Sequence, residues 1–142
     1  MDVRLLDQHP HMAENDRDVL FTNESFLIGI LQAVSGGSLV AGLSQLESLV
    51  KLAGKFPFLF FLTAMCAALV TAVLAAYWKH WYKVWDIKGR VSHAKGINKE
   101  AADRSQKANT DLEQMRSAMR VSVALIAIGF VVLVSGFWYR AL

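Results

Sequence analysis

Residues 56–78 read FPFLFFLTAMCAALVTAVLAAYW, and no Asp, Glu, Lys or Arg interrupts them. A helix rises 1.5 Å per residue, so about 20 mostly apolar residues cross a hydrocarbon layer about 30 Å thick. This run is long enough to do so. Pro57 suits a first helical turn, where its missing N–H has no intrahelical acceptor to lose. Phenylalanines crowd one end, and Tyr77, Trp78, Trp81, Tyr82 and Trp85 crowd the other and its continuation. Tryptophan and tyrosine settle at the headgroup level of a bilayer, so Trp78, Trp81 and Trp85 are read as an interface belt rather than as a stack for a ligand ring.

Working outward, residues 121–139 read VSVALIAIGFVVLVSGFWY and are also free of charge, with Trp138 and Tyr139 as the far belt and Arg140 just outside. The chain as a whole is 54% hydrophobic and only 19% charged, where a soluble chain is about a quarter charged. The expected class is therefore an all-α integral membrane protein. It has two transmembrane helices, 56–78 and 121–139, extended into an antiparallel helical hairpin by the connection 79–120. The expected division is 1–23 as an acidic polar tail, 24–54 as a kinked amphipathic helix, and 55–142 as the transmembrane hairpin.

Small residues set the expected packing. Ala64, Ala68, Ala72 and Ala76 recur every fourth position and share one ridge of their helix. Gly129 and Gly136, seven apart, face one way on the other. Small ridges let helix backbones approach closely, and dispersion and packing then drive association in lipid. The lone Cys66 allows no intrachain disulfide and is read as a small apolar residue.

Residues 24–54 are less apolar. Thr22 or Asn23 is the expected N-cap. The apolar positions Leu27, Leu31 and Val34 are out of step with Leu39, Leu43, Leu46 and Val50, and Gly36-Gly37 lies at the break. Two glycines cost a helix about 1 kcal/mol each, so a hinge is expected at Gly36 and Gly37. The other face carries Gln32, Ser35, Ser38 and Gln45, a polar, uncharged stripe suited to lining a pore. This helix either spans the bilayer or lies in its interface.

The connection has one main break, Ser92-His93-Ala94-Lys95-Gly96, with Gly96 as the turn residue and Asn98 as the next N-cap. Ala101, Ser105, Ala108, Leu112, Met115 and Met119 then form a weak coiled-coil seam that runs into the second span. The connection holds ten basic against five acidic residues, a net +5, whereas the first 24 residues hold two against six, a net −4. Loops rich in Lys and Arg stay in the cytoplasm, so the connection is expected there and the C-terminus on the other side. Its charges are interleaved and carry no nucleic-acid motif, so anionic headgroups are the expected partner of its membrane-proximal lysines and nucleic acid is not. With an acidic N-terminus unlike a cleavable signal and no lipidation motif, the expected location is the bacterial inner (plasma) membrane.

No catalytic constellation is present: no HExxH, GxSxG, phosphate-binding loop or CxxC. His9 and His11 are close together with no third ligand near and are read as solvated. His80 and His93 stand outside the spans, where a membrane haem would not find them. No enzyme, cofactor, metal or small-molecule substrate is expected. The spans hold no acid or base, which argues against proton-coupled transport. Two functions remain. Copies of the chain assemble into a pore or permeabilising oligomer, or the chain is an accessory or scaffold subunit of a larger membrane complex.

Overall fold

A computed structural model describes residues 10–142, with side chains from residue 22 onward. The expected tail residues 1–9 and the side chains of the His9–His11 pair lie outside these bounds. The described residues form four helices: α1 (Pro10–Ser44), α2 (Leu46–Ala53), α3 (Lys55–Ala94) and α4 (Asn98–Ala141). Three stretches are long and apolar enough to cross a membrane: Thr22–Ser44 within α1, then α3 and α4. At 40 and 44 residues, α3 and α4 measure roughly 60 Å and 66 Å at the α-helical rise, about twice the thickness of a hydrocarbon core.

The three long helices alternate in direction. Gly89 faces Ala101 and Arg104, and Gly136 faces Ala53 and Pro57. Between these points the Ser122 hydroxyl donates to the Ala68 carbonyl at 2.9 Å. Helix α4 therefore runs back along α3 from tip to base. Helix α1 also runs against α3, with Ile28 packed beside Ala75 and Gly42 beside Phe58, Phe61 and Leu62.

Two apolar clusters tie the bundle. At the α2 end, Phe58, Phe61 and Met65 meet Ala53 and Leu133, and the Phe61 and Phe130 rings meet edge to face at 5.4 Å. Toward the connection, Ile28 and Ala75 meet Met115 and Ala118. Between the clusters the contact is made by small groups, with Ala68, Ala72 and Ser122 all fully buried. Close backbone approach, rather than large side chains, fills the middle of the bundle, as expected where lipid outside is as apolar as leucine inside.

Several local expectations need correction. Helix α1 passes through Gly36-Gly37 without a break and stops at Ser44; the turn is at Gln45, before the short α2. Glycine lowers helix stability but removes no hydrogen bond, so neighbouring turns carry the helix through. The turn falls where chain bound for α3 must reverse. Leu49, Val50 and Ala53 of α2 pack onto the base of the bundle there. Thr22 and Asn23 are inside α1 rather than at its start, and Ile97, not Asn98, occupies the N-cap of α4.

Both joints of the lower and upper turns are glycines. Gly54, alone between α2 and α3, has φ +94° and ψ 158°, a region essentially closed to residues with a Cβ. Gly96, at φ +75°, ends α3. The Gly96 N–H donates to His93 O and the Ile97 N–H to Ser92 O, both at 3.0 Å, the paired bonds of a Schellman C-cap.

Candidate functional site

The packing residues of α3 and α4 lie together. Ala64, Ala68 and Ala72 are buried and Ala76 half-buried. An added Cβ at Gly129 would lie 2.7 Å from Met65 Cε and 3.1 Å from Ala64 Cβ; at Gly136 it would lie 2.6 Å from the Ala53 carbonyl oxygen and 2.8 Å from the Pro57 ring. The seam of α4 places Ala108 and Met115 in the interior, with Leu112 and Met119 half-buried.

Helix α1 turns its two faces the other way round from a soluble amphipathic helix. Its inward positions are Ile28, Leu31, Ser35 and Gly42. Ser35 is fully buried, and its hydroxyl donates to the Leu31 carbonyl at 2.6 Å, so no polar atom is left unsatisfied. Outward stand Phe26, Val34, Val40, Leu43 and Leu46. The polar stripe is accordingly divided: Ser35 is interior, Gln32 and Ser38 are half-buried, and Gln45 is exposed at the turn.

A second outward feature of α1 is a row of small residues, Gly29, Ala33, Gly37 and Ala41, spaced by four and all exposed. At Gly29, Gly36 and Gly37 no atom lies within 4 Å of where a Cβ would stand. The protomer itself makes no use of this clearance. The spacing is visible in the sequence but is masked there by the reading of the same helix as apolar against polar.

Charged groups gather where α1, α3 and α4 leave the apolar layer on the connection side. Arg116 donates to Glu24 at 3.3 Å, joining the bundle across 92 residues of sequence, and Lys79 donates to Ser25. Lys79, one residue past the charge-free stretch, is held below the ordinary lysine value by burial, against the raising effect of Glu24 and with a further lowering by Lys83. Farther out, Trp81 and Trp85 stack at 6.2 Å, and the Lys88 and Lys107 ammonium groups lie 5.1 and 5.0 Å from the Trp85 ring centroid. Cation–π attraction of this kind fastens α4 to α3. Near the tip, Arg104 donates to Lys88 O and Ser92 Oγ and pairs with Glu100.

At the opposite end Arg140 donates to the Lys51 carbonyl at 2.7 Å and closes α4 over α2. Trp138 and Tyr139 are exposed beside it, as Trp81 is at the other interface, whereas Trp78 and Trp85 are half-buried. Among the described residues no group of three or more His, Cys, Asp and Glu is placed to hold a metal. No family model, curated protein or solved structure matches this chain.

Proposed function

We propose that the chain is a non-catalytic protein of the bacterial inner membrane whose copies associate through α1 into an oligomer that permeabilises the bilayer. The observation that carries this reading is the unoccupied clearance at Gly29, Gly36 and Gly37. Each glycine costs its helix about 1 kcal/mol relative to alanine, and nothing in the protomer offsets that cost. A second helix seated on the row Gly29, Ala33, Gly37 and Ala41 would offset it through close backbone approach. Three helices do not enclose a channel, so permeation requires several copies, with Gln32, Ser38 and Gln45 as the polar groups nearest the seam between them.

The orientation places the basic connection, and with it the distal halves of α3 and α4, in the cytoplasm as a sensing or docking stalk. Spanning by α1 then puts residue 22 on the cytoplasmic side, and α2 and the C-terminus on the other. Anionic headgroups attract the lysines at the cytoplasmic boundary.

The test uses purified protein in dye-loaded vesicles, with Ala33→Cys in a Cys66→Ser background for crosslinking. Dye leakage and a crosslinked ladder are expected, and Gly37→Leu should abolish both while leaving the helical circular dichroism intact. An intact protein that neither leaks nor crosslinks, and that co-purifies with a larger membrane complex, would replace this reading with that of an accessory or scaffold subunit.

A further inference from the structure

The end of the bundle away from the connection carries a cleft that no packing role absorbs. Its mouth, of about 430 Å³, is bordered by Lys55, Arg140, Gly54 and Tyr139. It continues into an apolar trough of about 500 Å³ lined by Phe56, Leu59, Phe60, Thr63 and Val132. Phe56, Pro57 and Val132 line both, so mouth and trough are contiguous. Each volume falls within the range of about 300–1,000 Å³ usual for small-molecule sites.

The two parts differ in chemistry in the direction a lipid does. Lys55 and Arg140 both flank charge-free runs, so both stand at the boundary of the apolar layer. No carboxylate borders the mouth. A guanidinium has five N–H donors, and the Lys51 carbonyl takes one of Arg140's. From Lys55 to Thr63 the trough descends eight residues of α3, roughly 12 Å at the helical rise, which approaches the half-thickness of a hydrocarbon core of about 15 Å. Phe56 and Tyr139 flank the entrance at 85% and 87% exposure.

We infer that this cleft binds one anionic glycerophospholipid, with its phosphate between Lys55 and Arg140 and one acyl chain in the trough beneath. Charge complementarity at the mouth, together with an apolar continuation confined to one leaflet's depth, selects this occupant over a peptide helix, which would need a longer and wider face. The bound lipid would brace the joint at Gly54, because Arg140 lies against that residue. The inference does not depend on how copies of the chain assemble.

The test is native mass spectrometry and thermal unfolding of the full chain in mild detergent, titrated with phosphatidylglycerol or with phosphatidylcholine of the same acyl chains. Retention on the order of tenfold stronger for phosphatidylglycerol is expected from charge-assisted hydrogen bonds, with a rise in melting temperature that phosphatidylcholine does not give. Lys55→Gln should remove most of the preference, and Val132→Phe should reduce retention of both lipids by filling the trough. Neither variant disturbs the bond from Arg140 to Lys51. Equal retention of the two lipids, or retention unchanged in both variants, would make the cleft ordinary lipid-facing surface and overturn the inference. Competition by soluble glycerol phosphate as strong as that of the whole lipid would overturn it too, since the trough would then be idle.

Discussion

Three classes of glycine in one bundle should respond differently to the same added methyl group. At Gly136 a Cβ would stand 2.6 Å from the Ala53 carbonyl oxygen and 2.8 Å from Cβ and Cγ of Pro57. One obstacle is backbone and the other a ring fixed in the first turn of α3, so neither can step aside. Overpacking of this kind costs about 1–3 kcal/mol. Replacing glycine in a helix returns up to about 1 kcal/mol, leaving a net loss of about 1–2 kcal/mol for Gly136→Ala. At Gly129 the nearest atom is the terminal methyl of Met65, at 2.7 Å, with Ala64 Cβ at 3.1 Å. A methionine end adopts new rotamers readily, so Gly129→Ala should come out near zero. At Gly37 nothing is in the way, and Gly37→Ala should stabilise the protomer by up to about 1 kcal/mol. Equilibrium unfolding in mixed micelles, followed by far-ultraviolet circular dichroism at protein dilutions that keep the chain monomeric, measures all three. A Gly136→Ala variant as stable as wild type, or one less affected than Gly129→Ala, would refute the claim that α4 docks on the α2–α3 joint by backbone contact.

Other outcomes follow from the same geometry. A single cysteine at position 95 should be reached only from the cytoplasm and one at position 142 only from outside, in a Cys66→Ser background; labelling of position 95 from outside intact cells would reverse the orientation. Ala68→Leu or Ala72→Leu, each at a fully buried position, should cost about 1–3 kcal/mol by overpacking, read in the same unfolding assay, and unchanged stability would place that face against lipid. Glu24→Gln should loosen α1 from α4 by at most about 1 kcal/mol, because Arg116 is half exposed and the pair is screened. The loss should shrink at high salt, and a loss independent of salt would mean that packing rather than charge is at work.

The two strongest spans were legible because the signal is one-dimensional: a run without charge, bounded by tryptophan and tyrosine, needs no knowledge of neighbours. Gly96 was legible for the same reason, since a lone glycine after a helical run marks a positive-φ end. What escaped depends on residues distant in sequence. Glu24 and Arg116 are individually ordinary, and nothing short of the fold pairs them. The joint at Gly54 owes its placement to Gly136 and Arg140 reaching it from the far end of the chain. Gly36-Gly37 attracted the reading of a break because adjacent glycines lower helix stability, but that cost is local and small beside the hydrogen bonds of the turns on either side. The turn went instead to Gln45, where reversal lets α2 cover the base of the core.

The inversion of α1 has a physical reason that bears on function. In water the apolar face of an amphipathic helix must be buried, and reading Leu27, Val34 and Leu43 as inward assumes that solvent. In lipid there is no such penalty, so the inward positions are decided by fit and by polar satisfaction. Ser35 satisfies itself on the Leu31 carbonyl, and Gly42 admits Leu62 and Phe61. The large side chains are thereby released to face lipid. On that outward surface one strip, Gly29, Ala33, Gly37 and Ala41, is the exception, offering lipid little side-chain area to cover. A lipid chain gains less there than over leucine, whereas another helix gains more, because its backbone can come closer. The preference for a helix over lipid at that strip is a difference between two apolar environments. It should therefore persist in detergents and bilayers of varied headgroup charge, and an association that vanished when only headgroup charge was changed would have to be assigned to the connection's lysines rather than to α1.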